Sequence, residues 1–117
     1  MHNYKELKVW QKGRELVKFI YELTKKYPKE EIYSLTSQIR RAVVSIPSNI
    51  AEGAGHFSKR EFSRFLEIAY SSSCELETQV ILSYDLEFIS VDDLKNSTSL
   101  IEEVQKMLSG LMKSLDK

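Results

Sequence analysis

Ser58-Lys59-Arg60-Glu61 and the residues that follow decide the fold. A serine with glutamate three positions on opens helices, because the two side chains answer amides that the first turn leaves free. Beyond it, Phe62, Leu66, Ala69, Ser73, Leu76, Val80 and Tyr84 recur at steps of four and three. That spacing gathers them on one side of a helix, in a heptad-like seam, and predicts a rod over about 59–87 packed against other rods. The small Ala69 and Ser73 at mid-seam predict a close-approaching neighbour.

The same period extends outward in both directions. Over about 34–54 the apolar stripe is Leu35, Ile39, Ala42, Val43, Ile46 and Ile50, with Pro47 inside it. Proline has no amide to bond the Val43 carbonyl. Either the helix kinks at Pro47, or it breaks and Asn49 and Glu52 cap a second short helix. The stripe stays in phase through Ile50, which favours the kink. Gly53-Ala54-Gly55 reads as the terminator. Over about 5–26 the stripe is Val9, Gly13, Leu16, Ile20, Leu23 and Tyr27, stopped by Pro28. Over about 91–115, opened by Ser90-Val91-Asp92-Asp93, it is Leu94, Ile101, Val104, Leu108, Leu111 and Leu115. The expected architecture is all-α: one domain over 1–117, an antiparallel up-down four-helix bundle with its second helix kinked at Pro47.

Composition agrees. Only six of 117 residues are Gly or Pro, too few for a turn-rich sandwich or barrel. Lys plus Arg equals Asp plus Glu at 17 each, so there is no bulk attraction to nucleic acid. A single cysteine, Cys74, excludes an internal disulfide and a cysteine-based zinc site. The longest uncharged run, 42–51, is too short and too polar to cross a bilayer. The opening residues lack a signal-peptide pattern, so a reduced, cytoplasmic setting without membrane contact is expected.

Reactive chemistry is missing from the pattern. Neither His2 nor His56 has a glutamate three residues before it, as a di-iron bundle requires. Glu52 and His56 are separated by glycines and make a poor metal pair. Cys74 has acidic neighbours, Glu75 and Glu77, that oppose a reactive thiolate, and reads as a small packing residue. Glu75 and Glu77 point to different sides of a helix, and one is expected to meet an arginine across helices. Gly53-Ala54-Gly55 lacks the strand and the Gly-Lys-Ser/Thr ending of a phosphate loop. Trp10 and Tyr21 flank the first stripe as packing residues. No catalytic residue, metal site or cofactor is expected.

Two features remain. Val44, Pro47 and Ala51 form a second apolar stripe on the second helix; Tyr70, Cys74, Ile81 and Phe88 form one on the third. Helices apolar on two faces are buried on two faces, so both stripes are expected at an oligomer interface. Residues 1–57 carry ten basic and six acidic side chains, and 58–117 carry seven and eleven, a +4/−4 split able to steer head-to-tail contact. The other feature is a basic group, Arg40, Arg41, Lys59, Arg60 and Arg64, expected near one end of the third helix. It is a candidate nucleic-acid contact, or else pairs with Glu52, Glu61, Glu67 or Glu75.

The run Ser45-Ile46-Pro47-Ser48-Asn49-Ile50-Ala51-Glu52-Gly53 is highly specific. With the rest of 35–53, Lys8-Val9-Trp10-Gln11 and residues 65–79, it resembles the bacterial 23S rRNA intervening-sequence protein family over roughly 4–115. The resemblance implies a four-helix bundle, ring-shaped homopentamers and no catalytic residues; some members are encoded within insertions in 23S rRNA genes. Accessory variability proteins of diversity-generating retroelements are similar in fold and form basic rings that work with a reverse transcriptase and RNA, a role that this chain, with no net charge, fits poorly. The expected function is a non-enzymatic homo-oligomeric scaffold or interaction module that contacts RNA or a ribonucleoprotein. The alternative is a purely structural self-assembling protein that binds another protein and no nucleic acid.

Overall fold

Each apolar stripe becomes the buried side of one helix. In the computed structural model, which describes residues 3–116, α1 spans Lys8–Thr24, α2 Leu35–Ala54, α3 Lys59–Asp85 and α4 Val91–Leu115. Met1, His2 and Lys117 lie outside the described residues, and with them the His2 considered above as a metal ligand. Short 3-10 turns, Tyr4–Glu6 and Lys29–Glu31, lead into α1 and α2. At 1.5 Å per residue α3 is about 40 Å long, which sets the long axis of a 44 × 24 × 20 Å body. Each helix packs on its chain neighbours and α4 closes onto α1, while the backbones of the diagonal pairs α1/α3 and α2/α4 stay apart among the described residues. Lys26, just past the end of α1, reaches Asp93 in the first turn of α4 at 3.0 Å, so these two helices run antiparallel. The result is the up-down four-helix bundle, with no strand among the described residues. No helix of the structure is long and apolar enough to cross a membrane.

The core matches the stripes closely. Every stripe residue of α1 and α2 is buried, and on α3 the seam is buried from Phe62 to Val80. The exception is Tyr84, which is exposed while Ser83 is buried. Strict alternation of four and three, continued from Val80, reaches 83, and the helix keeps that phase. On α4, Ile101, Val104 and Leu108 are buried while Leu94, Leu111 and Leu115 pack at the margin. Three buried hydroxyls are answered within their own helices: Thr24 donates to the Ile20 carbonyl at 2.9 Å, Ser83 to the Gln79 carbonyl at 2.8 Å and Ser97 to the Asp93 carbonyl at 2.6 Å. The Tyr27 phenol is pushed above its ordinary pKa, first by burial, against a smaller opposing pull from Ser83.

α2 runs unbroken through Pro47, which excludes the break. The Asn49 amide donates to the Ser45 carbonyl at 2.8 Å and its hydroxyl at 2.9 Å, and that hydroxyl lies 2.8 Å from Ser72 Oγ on α3. The side chain one turn below thus reinforces the helix beside the proline. A Cβ placed on Gly13 would sit 3.4 Å from Pro47 Cβ, so α1 reaches α2 at the proline itself.

Helix ends depart from expectation in physically instructive ways. α1 stops at Thr24 and α3 at Asp85, each two residues early. Ser58 accepts from the Glu61 amide at 3.2 Å, but the Glu61 carboxylate turns to Arg64, so only half of the expected box forms. The complete box is at α4, where Ser90 and Asp93 satisfy each other's amides. Gly53 and Gly55 are not left-handed terminators: neither has a positive φ, and Gly53 is buried inside α2. Its role is spatial, because a Cβ there would lie 2.7 Å from Phe65 Cβ and 3.1 Å from Phe62 Cδ1. The left-handed residue is instead Glu87, at φ 66°. Its amide bonds the Tyr84 carbonyl and the Phe88 amide bonds Ser83, both at 2.9 Å, closing α3 in a Schellman arrangement that normally calls for glycine.

Two stability predictions follow from these glycine-type positions. Gly53→Ala should destabilise by roughly 1–3 kcal/mol through overpacking, whereas Gly110→Ala, with nothing within 4 Å, should stabilise by roughly 0.5–1 kcal/mol. Equal responses in urea unfolding would contradict the close contact at Gly53. Glu87→Gly should raise stability by about 1 kcal/mol as left-handed strain is relieved; a loss of stability in the same assay would refute the Schellman closure.

Candidate functional site

The two expected interface stripes fare differently. Val44, Pro47 and Ala51 lie along one wall of a groove of about 480 Å³ between α1 and α2. The facing wall is α1, with Tyr4 ahead of it and Trp10, Arg14 and Val17 along it. Trp10 is wedged edge-on against Tyr4 at 5.3 Å between ring centres, and the Arg14 guanidinium lies over its ring at 5.2 Å. Val44 is 38% exposed; Pro47 and Ala51 are half-buried, the proline because it meets Gly13. The α1 wall was missed from sequence, though its signal is present: Trp10, Arg14, Val17 and Tyr21 recur at four, three and four residues.

Of the stripe expected on α3, Tyr70, Cys74 and Ile81 share one face by helical spacing, and Phe88 does not join them. Phe88 lies beyond the end of the helix, turned in against Tyr27 with ring centres 5.6 Å apart. Tyr70 is half-buried against the core. Cys74 is exposed rather than packed, with Gln105 Nε2 3.9 Å from its sulfur, and Ile81 is 45% exposed. Other apolar side chains of α3 also face outward, among them Ile68 and Leu82.

The five basic residues do not gather at one end. Arg40 and Arg41 lie in the first third of α2, and Lys59, Arg60 and Arg64 lie at the start of α3 beside the far end of α2. Fourteen residues of helix separate Arg40 from Ala54, about 20 Å. Sequence distance hid this, because the chain reaches α3 only after running the rest of α2. Arg64 pairs with Glu61 at 3.0 Å and covers the Phe65 ring at 4.7 Å, as the pairing alternative anticipated. Lys59 and Arg60 are exposed, have no carboxylate partner among the described residues, and border a polar hollow of about 500 Å³ with Ser63, Glu67 and Asp116. Arg40 is half-buried: its Nε donates to Thr24 Oγ1 at 3.0 Å and its guanidinium carbon lies over the Tyr21 ring, 4.7 Å from its centre.

The charge split maps onto the fold, with α1 and α2 forming the basic side and α3 and α4 the acidic one. Part of it is used internally. Lys12 bridges Glu15 and Glu103, both at 3.3 Å, and its amine is held above its ordinary pKa by the hydrogen bonds to Glu15 and Glu103. The Lys26 amine holds the Asp93 carboxyl below its ordinary value, first through their hydrogen bond. Neither Glu75 nor Glu77 forms an ion pair among the described residues, so the expected arginine contact is absent. His56 is exposed and stacks on Phe65 at 5.1 Å between ring centres. No group of three or more His, Cys, Asp or Glu able to hold a metal occurs among the described residues.

No curated protein matches the chain. A family model described as 23S rRNA-intervening sequence protein matches residues 5–110, from the turn before α1 into the last turns of α4. That span takes in the Gly13–Pro47 contact, the Asn49–Ser45–Ser72 network and the seat of Phe62 and Phe65 on Gly53. The chain belongs to the 23S rRNA-intervening sequence protein family.

Proposed function

We propose that this protein is a non-enzymatic scaffold that assembles with copies of itself into a closed ring, five-membered as the family resemblance implies. The observation that carries this is the aromatic and aliphatic groove between α1 and α2, which the bundle leaves uncovered. Soluble proteins rarely leave such a surface open without a partner. The complementary surface is the acidic side of the next copy, where Ile68, Ile81 and Leu82 stand exposed on α3. Joining a basic α1–α2 face to an acidic α3 face is a head-to-tail contact, which closes into a ring when the rotation between copies permits. Light scattering should report a defined oligomer, and a monomer would end this proposal. Val44→Glu places a charge in the groove without touching the core, so it should dissociate the oligomer while circular dichroism stays helical.

Contact with RNA or a ribonucleoprotein is a second reading, supported by the exposed Lys59 and Arg60 at the start of α3, which have no ion-pair partner among the described residues. Two such cations per copy, with the paired Arg64 beside them, bind phosphate weakly, but a ring repeats them and gains by avidity. Such binding releases counterions and must weaken as salt rises. An Arg60→Ala/Arg64→Ala variant should lose RNA affinity and show a shallower salt slope. RNA binding that is absent at low salt, or that survives the substitutions, would favour a self-assembling protein whose other partners are proteins.

A further inference from the structure

We propose that Arg40 and the cavity beside it, between the end of α1 and the start of α2, bind the oxyanion head of a small organic anion: a carboxylate or phosphate monoester. The proposal rests on neither the self-assembly nor the RNA reading. It separates Arg40 from the other four basic residues and gives it a different kind of ligand.

Arg40 is prepared for such a role. A guanidinium carries five donors in a rigid planar fork. Here Nε is committed to Thr24 Oγ1, and the guanidinium carbon lies over the Tyr21 ring. Thr24 is itself held, since its hydroxyl donates to the Ile20 carbonyl. The two terminal nitrogens have no hydrogen-bond or carboxylate partner among the described residues. An arginine immobilised on both its Nε and its face, with its outer edge free, presents two parallel N–H groups that match the two oxygens of a carboxylate or phosphate.

The surroundings agree in charge and shape. Arg40 forms part of the wall of a cavity of about 350 Å³, together with Thr24, Tyr27, Pro28, Ile32 and Thr36. Lys25 and Lys29 also border it, and no acidic residue does. The nearby carboxylates are engaged elsewhere: Glu22 with Lys25 at 3.0 Å, Asp93 with Lys26 at 3.0 Å, and Glu31 with the Leu35 amide at 3.4 Å. Thr36 is 98% buried and its hydroxyl has no hydrogen-bond partner among the described residues. Tyr27, Pro28 and Ile32 supply apolar surface, which suits an anion with a small apolar body better than a bare ion. Commitment of Nε to Thr24 leaves only the end-on edge of the fork, which limits the head group to one planar pair of oxygens at a time.

The test is a titration of the unmutated protein with inorganic phosphate, phenyl phosphate and benzoate, at constant ionic strength with chloride as the control. Binding is read by calorimetry and by the Arg40 side-chain Nε resonance. Saturable movement of that resonance is expected with phenyl phosphate, benzoate or both, tighter than with inorganic phosphate; which of the two acts identifies the head group. Arg40→Lys keeps the charge and loses the fork, so it should weaken binding about tenfold or more. Thr24→Val, which frees the guanidinium from its anchor, should weaken it less, and Arg60→Ala at the far end should leave it unchanged. Absence of a saturable shift with every probe would overturn the proposal, as would affinity untouched by Arg40→Lys. Should Arg40→Lys fail to fold, the titration of the unmutated protein and of Thr24→Val decides.

Discussion

The bundle depends on a missing side chain. Gly53 offers bare backbone to Phe62 and Phe65, and any Cβ there would collide with Phe65. Two large rings therefore lie directly on the end of α2, which fixes where α3 begins its run back along it. The pair α2/α3 shares the longest interface in the molecule, so this seat sets the register for everything above it. Ser45 and Ser72, bonded across the two helices at 2.8 Å, can meet only because that register is already set.

The same helix holds α1 by a similar device. Pro47 removes a backbone donor from mid-helix and would ordinarily weaken α2. Its ring instead becomes the surface that Gly13 of α1 lies against, while Asn49 adds donors one turn away. Thus a short run of sequence serves three helices: Ile46 and Ile50 fill the core, Pro47 meets α1, Ser45 reaches α3, and Gly53 receives the aromatic pair. The family match extends across all of these contacts, and their mutual dependence gives a physical reason for so specific a motif.

Much of this was legible beforehand, and the rest was hidden for identifiable reasons. Helical period located four helices and nearly all of the core, because burial of a stripe is a local consequence of spacing. Tyr84 was misplaced by one step of the four-three alternation. Glu87 gave no warning, since left-handed closure is usually announced by glycine. Gly53 was visible as a glycine, but its purpose is a contact with residues nine and twelve positions on. The basic group was the largest misjudgement: five cations within twenty-five residues looked like one patch, and α2 holds two of them about 20 Å from the rest. Arg40 owes its fixed position to Tyr21 and Thr24 on another helix, which no spacing rule connects.

The four helix-to-helix seams are unequal. That between α1 and α4 is the least extensive, and it is bridged by Lys12–Glu103 and Lys26–Asp93, ion pairs open to solvent. Such bridges are screened by salt, whereas the aromatic and serine contacts of α2 with α3 are not. The molecule therefore has a hinge side and an opening side. Of the four seams, the α1–α4 edge is the one whose closure responds most to ionic strength.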